Sequence, residues 1–389
     1  MKVLSVSHMF PNKLKPNYGI FVKERLKSIA IKVDVSVVAP VPFLPMPSVV
    51  RSKKHAQKIP PREVFDGLQV HHPRYLVIPR VCKYLDGYLY YKSMNSFFLN
   101  MIMNDSTDLL DFHWIYPDAY AGLKWAKLLN KKIVMTIRGN ESICYFEKSL
   151  RKKMLIQTLK SADHIISVSS DMKQKVVGEY GVDGNKVTVI SNGIDSGKFR
   201  PIDKVEALKK CKLDFGKKHI LSLCRLSEEK GLEHLLKAFS LLDERNVELL
   251  MVGDGPLRGT LMKMAKDLGV ADRVHFIGEV AHEDTYKWYN AADVYCLPSL
   301  WEGCPNVVIE SIACGTPVVA TNVGAVSDLV PSEDYGLIVP PGDVSSLTQA
   351  LAQALRKDWD RELIVSHGAS NTWEHVADRV VSVFQEVLS

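Results

Sequence analysis

Short apolar runs alternate with segments of helical period along almost the whole chain. In the first half the strand-like runs are VLSVSH, VSVVAP, DLLDFHW, KKIVMTIRG and HIISVSS. Between them lie helical segments at Phe21 to Ala30, Ala119 to Leu129 and Ser149 to Leu159. Because apolar strands separated by helices are typical of parallel sheets covered on both faces, this half predicts an α/β domain.

The same rhythm restarts after the turn-rich stretch SNGIDSGKFRP. Strand-like runs follow in HILSLCRL, VELLMVGDG, RVHFIGEV, DVYCLPS and PVVATNV, and helical segments at Gly231 to Leu242, Pro256 to Leu268, Glu283 to Asn290 and Val307 to Cys314. A restart after Gly, Asn and Pro residues marks a domain boundary near residues 195 to 215. The 389 residues therefore predict an α/β fold with two Rossmann-like domains, 1–195 and 196–371, facing across a cleft where function is sought.

The last segment, NTWEHVADRVVSVFQEVL, has an amphipathic helical pattern. Its expected buried stripe consists of Trp373, Val376, Val380, Val383 and Phe384. A helix over 372–389 has the apolar face needed to cross back onto the first domain.

Composition favours a folded cytoplasmic protein, with 46% apolar and 24% charged residues. The start MKVLSVSHMF has no signal-peptide pattern, and the longest apolar-rich stretch, Val307 to Ala320, is interrupted by Glu310 and broken by Gly315 and Pro317. The seven cysteines are scattered without a C-x-x-C pair, which favours reduced thiols packed as small core residues. No transmembrane helix is expected.

The net charge of +6 hides an asymmetry along the chain. Residues 1–195 hold 29 Lys and Arg against 16 Asp and Glu, a net +13, whereas the remainder carries −7. A basic half favours an anionic partner such as a membrane surface, a phosphorylated lipid acceptor or nucleic acid, but a solvated face without a partner also explains it.

Two segments of this basic half allow the same two interpretations. The helical pattern Lys148 to Lys160, KSLRKKMLIQTLK, fits either an anionic membrane surface or an ordinary packed helix. The Pro- and aromatic-rich stretch 40–91 fits either an acceptor or membrane-contact surface or a loop cluster packed on its own domain.

Candidate chemistry is densest in LPSLWEGCPNVVIESIACG, residues Leu297 to Gly315. A strand ends at Pro298, a loop carries Glu302, and Glu310 lies one turn into the next helix. Because ligands bind at the carboxyl ends of parallel strands, both carboxylates are expected beside a ligand, Glu302 on sugar hydroxyls and Glu310 on a ribose diol. The alternative is that Glu310 only complements the dipole of its helix.

Two cations follow the first strand of the second domain. Arg225 and Lys230 lie on the turn between that strand and the first helix, where a nucleotide phosphate would sit, and they can neutralise a leaving diphosphate. The alternative is that they form surface ion pairs with Glu228 and Glu229.

The whole set of motifs resembles one enzyme family. R-x4-K-G, VGDGP, the E-x7-E of WEGCPNVVIESIACGTPVVAT and a preceding SNGID are similar to the retaining nucleotide-sugar glycosyltransferases of family 4 (group 1) type, which have the GT-B architecture. The resemblance runs from about 187 to 330. It implies donor-binding positions at Asn192, Gly253, Gly303, Cys304, Pro305, Asn306 and Glu310.

The first domain matches the same family in order but more thinly. NYGIFVKER resembles the family's glycine loop, with Gly19 by the diphosphate and Tyr18 in place of a frequent first glycine. DFHWIYPDAYAG resembles a segment in which His113 faces the cleft, and TIRGNE has Arg138 where a histidine often stands. Either His113 or Arg138 therefore contacts the sugar. These segments are most similar to the branch that builds cell-surface polysaccharides, such as teichuronic-acid-type transferases.

The resemblance implies transfer of a hexose-type sugar from a UDP- or GDP-sugar to a lipid-linked or saccharide acceptor, with retention of anomeric configuration. Arg225 and Lys230 would stabilise the leaving group while Glu302 holds the sugar. The enzyme is expected in the cytoplasm or at the inner face of the cell membrane. No nucleic acid, metal or other cofactor is expected, and the Asp358-Trp359-Asp360 sequence is interpreted as chance. The alternatives are a nucleotide-sugar 2-epimerase and a two-lobed binding protein.

Overall fold

The computed structural model describes residues 1–43, 58–78, 85–104, 106–139 and 150–389. It divides the chain into two compact units. The first domain comprises Met1–Asn192 together with Trp373–Ser389, and the second comprises Gly193–Thr372. Cys82 and Cys144 lie outside the described residues.

Within the described ranges, eight strands of the first domain form one sheet in the order β10-β9-β8-β7-β1-β2-β5-β4, and β3 pairs with β6. All these pairings are parallel except that of β4 with β5. The strands are β1 Lys2–Val6, β2 Asp34–Val38, β3 Val41–Phe43, β4 Arg62–Phe65, β5 Leu68–His71, β6 Arg74–Leu76, β7 Leu109–Phe112, β8 Lys132–Ile137, β9 His164–Ser167 and β10 Val187–Val189.

The second domain contains a six-stranded sheet in the order β13-β12-β11-β14-β15-β16, in which every pairing is parallel. Its strands are β11 Lys218–Leu223, β12 Val247–Val252, β13 Val274–Gly278, β14 Val294–Leu297, β15 Val318–Thr321 and β16 Gly336–Val339. Both sheets have the crossover connections of Rossmann-like domains, which confirms the predicted α/β fold class.

Helices separate the strands in both domains. In the first domain they are α1 Ile20–Ala30, α2 Asp86–Asn104, α3 Tyr120–Leu129, α4 Leu150–Ser161 and α5 Ser170–Gly178. In the second they are α6 Lys204–Cys211, α7 Leu232–Ser240, α8 Arg258–Asp267, α9 Thr285–Ala291, α10 Asn306–Ala313, α11 Val326–Leu329, α12 Val344–Arg356 and α13 Arg361–Ala369; α14, Trp373–Leu388, completes the chain. No helix in the described ranges combines the length and apolar character that crossing a membrane requires.

The second sheet is buried on both faces, and its successive strand residues point alternately to one face and the other. Ile220 and Leu249 belong to one apolar cluster, whereas Leu221 and Leu250 belong to the cluster on the other face. Cys296 is fully buried, and burial raises the pKa of its thiol. The five cysteines within the described residues are free thiols.

Helix α14 belongs to the core of the first domain. All five residues of its predicted stripe are buried, and the stripe shares one apolar cluster with Val22 and Leu26 of α1. The predicted amphipathic helix is therefore confirmed, and its apolar stripe covers the apolar face of α1.

The described part of the basic segment, α4, makes contacts within its own domain. Arg151 lies 3.0 Å from Asp86 and above the ring of Tyr116, and Lys152 lies above the ring of Tyr180. These contacts are those of an ordinary packed helix. In the Pro- and aromatic-rich stretch, 44–57 and 79–84 lie outside the described residues, while the remainder forms β3 to β6 and the start of α2.

Candidate functional site

The polar residues predicted for the second domain gather at the carboxyl ends of its strands. Arg225 follows β11, Gly253 follows β12, and Glu302 lies in the loop after β14. This edge of a parallel sheet is where ligands bind in doubly wound folds. The sequence motifs, which are separated by many residues, therefore meet at one edge of the domain.

Lys230 and Glu302 form a nearly buried ion pair. The Lys230 ammonium lies 2.6 Å from Glu302 Oε1, and the Ser299 hydroxyl donates to the same oxygen at 2.7 Å. Burial alone would lower the pKa of Lys230, but the Glu302 carboxylate outweighs it and raises that pKa, so the side chain is cationic at neutral pH. A surface pair of Lys230 with Glu228 or Glu229 is not what the structure contains.

A close approach of two loops places this pair. Gly231 follows Lys230 with φ of 60°, and a Cβ there would lie 2.2 Å from the Pro298 carbonyl oxygen. The Leu300 amide donates to the Glu229 carbonyl at 2.8 Å. The loop carrying Lys230 is thus joined to the loop carrying Glu302 by backbone contacts that only glycine permits.

Arg225 differs from Lys230 in its surroundings. Its side chain is exposed, and no described carboxylate forms an ion pair with it. An exposed guanidinium at this edge can take a phosphate oxygen without first breaking an internal ion pair.

Gly253 has a packing role that the VGDGP motif alone did not show. Its φ is 128°, and a Cβ there would lie 2.0 Å from the Cys224 carbonyl oxygen. Any side chain at this position would force apart the ends of β11 and β12. Its predicted contact with the donor stays a prediction.

Glu310 is buried on α10 and hydrogen-bonded. The Tyr289 hydroxyl donates to Glu310 Oε2 at 2.8 Å, and His282 Nε2 lies 3.4 Å from Oε1. Burial and the adjacent carboxylate raise the pKa of Tyr289 well above its ordinary value, which keeps the phenol a donor. Since Glu310 is the fifth residue of its helix and 6% exposed, complementing the helix dipole does not account for it.

The loop between Glu302 and Glu310 is also held by backbone contacts. Gly303 accepts a hydrogen bond from the Ala325 amide at 2.9 Å. Cys304 is half-buried, Pro305 has an extended conformation before the helix, and Asn306 is its first residue. These four predicted donor-binding residues therefore line the entry to α10.

Gly19 is the N-cap of α1 in the first domain. Its φ is 74°, and a Cβ would lie 2.5 Å from the Met9 carbonyl oxygen. The glycine is needed for the close approach of the loop after β1 to the start of α1. This position at the carboxyl end of β1 is the one the resemblance assigned to a diphosphate.

His113, Arg138 and Asn192 form a buried network with Asp111. His113 Nδ1 lies 2.9 Å from Arg138 Nη2, and His113 Nε2 lies 3.0 Å from Asp111 Oδ2. Arg138 Nη1 donates to Asn192 Oδ1 at 3.0 Å. His113 and Arg138, predicted as alternatives, are therefore parts of one arrangement.

Burial determines the charges in this network. It lowers the pKa of His113 to about 4 with the help of Arg138, although Asp111 opposes the shift. Burial alone would raise the pKa of Asp111, but His113, Arg25 and Ser5 lower it to about 2. At neutral pH the histidine is neutral and the aspartate is ionised.

The two family models matching this chain decide its classification. Residues 32–198 match Glycosyltransferase Family 4, and residues 203–369 match Glycosyl transferases group 1. Together the two matches cover most of the chain. The chain belongs to the family 4, group 1 glycosyltransferases.

Relatives of this glycosyltransferase include the putative teichuronic acid biosynthesis glycosyltransferase TuaC of Bacillus subtilis, 27% identical over 97% of this chain and 94% of that protein. Sucrose-phosphate synthase from Thermosynechococcus elongatus has a similar structure, with a TM-score of 0.77 and 20% identity, over 100% of this chain and 99% of that one. Anabaena HepE in complex with UDP gives a TM-score of 0.70 and 20% identity, over 100% and 98% of the two chains. These likenesses confirm the GT-B fold.

Several residues of the candidate site were not predicted. Asp111 and Tyr289 contact predicted residues, but each lies in an apolar or aromatic run that resembled ordinary core. His282 lies in the polar sequence AHEDT, which gives no sign of its contact with Glu310. The Asp358-Trp359-Asp360 sequence has a local structural role, because Asp360 accepts the Leu363 amide at 3.0 Å as the N-cap of α13. Within the described residues, no group of three His, Cys, Asp or Glu side chains is arranged to hold a metal.

A cavity of about 760 Å³ lies elsewhere in the first domain. It is lined by the ends of α3 and α4 and by Lys132 and Ile133 at the start of β8, the opposite end of the strand from Arg138. Its lysines, such as Lys127, lie where cations complement the carbonyl ends of helices. The candidate site is therefore chosen by the polar residues at the carboxyl edge of the sheet and not by cavity size.

Proposed function

We propose that this glycosyltransferase moves a hexose-type sugar from a UDP- or GDP-sugar to a lipid-linked or saccharide acceptor, with retention of anomeric configuration, in cell-surface polysaccharide synthesis. The observation that carries the proposal is the Lys230–Glu302 pair at the carboxyl edge of the second sheet. A cation held beside a carboxylate, with the exposed Arg225 five residues earlier, suits a donor with both a diphosphate and a hydroxyl-rich sugar.

The reaction proceeds by exchange at the anomeric carbon. The bond from that carbon to the diphosphate oxygen breaks, and a bond to the acceptor oxygen forms on the same face of the sugar. The acceptor hydroxyl gives its proton to the departing phosphate oxygen, so the products are the glycoside and the nucleoside diphosphate. Arg225 and Lys230 neutralise the charge that develops on the leaving group, and neither a protein nucleophile nor a metal is required.

Glu302 has two tasks in this scheme. It keeps the Lys230 ammonium charged and in place before the donor binds, and it accepts hydrogen bonds from sugar hydroxyls. Ser299 limits its rotation by donating to Oε1. The pair is thus organised in advance, which lowers the reorganisation needed during transfer.

Glu310 is proposed to bind the nucleoside. Its Oε2 accepts the Tyr289 hydroxyl, while Oε1 faces His282, whose side chain is 38% exposed. A ribose diol would replace the long His282 contact and use the remaining acceptor capacity of the carboxylate. UDP bound to the similarly folded HepE supports a uridine donor as the first one to test.

A thermal-shift screen tests the donor. The protein is heated with UDP, GDP, ADP, CMP and their sugar conjugates, and a ligand at 100 times its Kd is expected to add about 2.7 kcal/mol of stability. UDP or GDP compounds should raise the melting temperature of the wild type and of Glu333→Ala, an exposed control, but not that of Glu310→Ala. Glu310→Gln, which keeps an acceptor for Tyr289, should also lose the shift. No shift with any nucleotide in the wild type would contradict the proposed function.

The acceptor is proposed to be presented at an anionic membrane surface. The support is the net charge of +13 over residues 1–195 and the similarity to TuaC, a putative teichuronic acid biosynthesis glycosyltransferase. Sedimentation with vesicles of anionic lipid at low salt should bring down the protein, and added salt should release it. Protein that stays in the supernatant at low salt would remove membrane contact while leaving sugar transfer in place.

A further inference from the structure

We propose that the cavity lined by α3, α4 and the start of β8 is a second binding site, separate from the donor site, for an anion that carries a phosphate group. The cavity has a volume of about 760 Å³. Its lining includes four lysines, Lys124, Lys127, Lys131 and Lys132. The proposal goes beyond sugar transfer, because none of the described lining residues belongs to the polar set at the carboxyl edge of either sheet.

The charges of the lining are strongly unequal. Among its described residues, Asp163 is the one acidic side chain, and it lies 3.1 Å from the Lys132 ammonium. The Ile133 amide donates to the same carboxylate at 2.9 Å, which holds it beside the strand. Four lysines and one aspartate leave a net charge of +3 around the cavity. An anionic ligand would compensate this charge.

The end of helix α3 explains only part of this charge. Lys127 lies in the last turn of α3, where a cation is favourable. In that turn the amides of Asn130 and Lys131 already donate to the Ala126 carbonyl oxygen. The contacts that the lining lysines make are with Asp163 and with aromatic rings. One cation would complement this helix end, and the lining contains three more lysines.

Lys124 is held in place by aromatic rings. Its ammonium lies 5.3 Å from the centre of the Tyr120 ring and 5.6 Å from the centre of the Tyr91 ring. Such contacts restrain a long side chain without neutralising its charge. Tyr120 also lines the cavity, and burial raises the pKa of its phenol, which stays a hydrogen-bond donor at neutral pH. A charged donor and a neutral donor are thus arranged side by side.

The part of the cavity formed by α4 supplies uncharged polar groups. They are Gln157, Thr158 and Ser161, next to the apolar Met154. The oxygens of a phosphate group accept hydrogen bonds from ammonium, amide and hydroxyl donors together. Lysine binds phosphate as a point charge, whereas arginine matches a planar carboxylate. Because the volume is that of a small-molecule site, the phosphate is expected to be part of a larger molecule.

The position of the cavity separates it from the donor chemistry. Lys132 is the first residue of β8 and Arg138 follows the last, so the strand places roughly 20 Å between the cavity and the carboxyl edge. A small ligand at one end of the strand therefore leaves the other end accessible. A soluble phosphorylated metabolite and the headgroup of an anionic lipid both present the group that the lysines would bind.

Lysine acetylation measured by mass spectrometry tests the site residue by residue. The full-length protein is acetylated at constant ionic strength, alone, with inorganic pyrophosphate, or with vesicles of phosphatidylglycerol or of phosphatidylcholine. Pyrophosphate or phosphatidylglycerol, at several times its Kd, should slow the acetylation of Lys124, Lys127 and Lys131 by roughly threefold or more. Lys153, an exposed lysine of α4 outside the lining, is the internal control and should react at an unchanged rate.

The pattern of protection identifies the source of the phosphate. Protection by pyrophosphate alone would support a soluble phosphorylated ligand. Protection by phosphatidylglycerol and not by phosphatidylcholine would support a lipid headgroup. Acetylation that neither phosphate compound slows would overturn the proposal. Equal protection of Lys153 would also overturn it, because the whole basic surface would then be screened without a specific site.

A double variant tests whether the lysines act together. Lys127→Gln with Lys131→Gln removes two charges and should raise by roughly 10-fold or more the pyrophosphate concentration that halves the acetylation rate of Lys124. Lys153→Gln should leave that concentration unchanged. Both variants should keep the thermal shift with UDP, because neither changes the donor site. An unchanged concentration in the double variant would refute the second site, whereas a wild type without a nucleotide shift would contradict the proposed function alone.

Discussion

Lys230→Ala is expected to lower the turnover number of sugar transfer by about 100- to 1,000-fold. The substitution removes the ammonium that neutralises the departing diphosphate. It also leaves Glu302, 8% exposed, with only the Ser299 hydroxyl among its described side-chain partners. An uncompensated carboxylate at that position would repel the donor, so binding and turnover both decline.

The measurement is kcat and KM for donor consumption with acceptor present. Lys237→Ala, which removes an exposed lysine from α7, is the matched control and should retain wild-type constants. Lys230→Ala should also lower the melting temperature, because it leaves the Glu302 carboxylate without its cation, whereas the double variant Lys230→Met with Glu302→Gln removes both charges and should recover the melting temperature but not turnover. Near-normal kcat in Lys230→Ala would eliminate the assigned role of this lysine.

Gly253→Ala is expected to destabilise the second domain by about 3 to 5 kcal/mol. The new methyl group would lie 2.0 Å from the Cys224 carbonyl oxygen, and the φ of 128° is unfavourable for alanine. Neither the carbonyl nor the sheet behind it can move without disturbing β11 and β12. The corresponding fall in melting temperature is roughly 10 °C for a domain of this size.

Thermal unfolding followed by circular dichroism measures this loss. Gly259→Ala is the matched control, because Gly259 lies inside α8 and a Cβ there meets nothing within 4 Å. That variant should gain up to about 1 kcal/mol, since alanine favours the helix more than glycine does. If Gly253→Ala unfolded at the wild-type temperature, the ends of β11 and β12 would be able to move apart to accommodate a side chain, and the packing role assigned to Gly253 would be wrong.

The fold was predictable because it depends on the spacing of apolar residues within each segment and on the order of strands and helices along the chain. The alternation of apolar strands and helices gave both domains, and most predicted helices differ from the observed ones only at their ends. The helix predicted from Gly231 begins at Leu232 because Gly231 has a positive φ and turns the chain beforehand. Such end effects depend on the neighbouring loop, which a local pattern does not include.

The site was predictable as a set of residue types but not as a set of partners. Lys230 and Glu302 were each identified beside a strand end, yet their pairing joins residues 72 positions apart. Asp111 was missed because one acidic residue in DLLDFHW is hidden within a strand whose other residues are apolar. Only the register of β7 against β1, with Asp111 opposite Ser5, reveals its place in a polar network.

The return of α14 to the first domain affects how the chain folds during synthesis. The second domain is a continuous segment, Gly193–Thr372, whereas the first domain needs Trp373–Ser389 to cover the apolar side of α1. The ribosome therefore releases the last part of the first domain's core only after the second domain has been made. The domain that is begun first is completed last, and its exposed α1 surface must remain soluble in the interval.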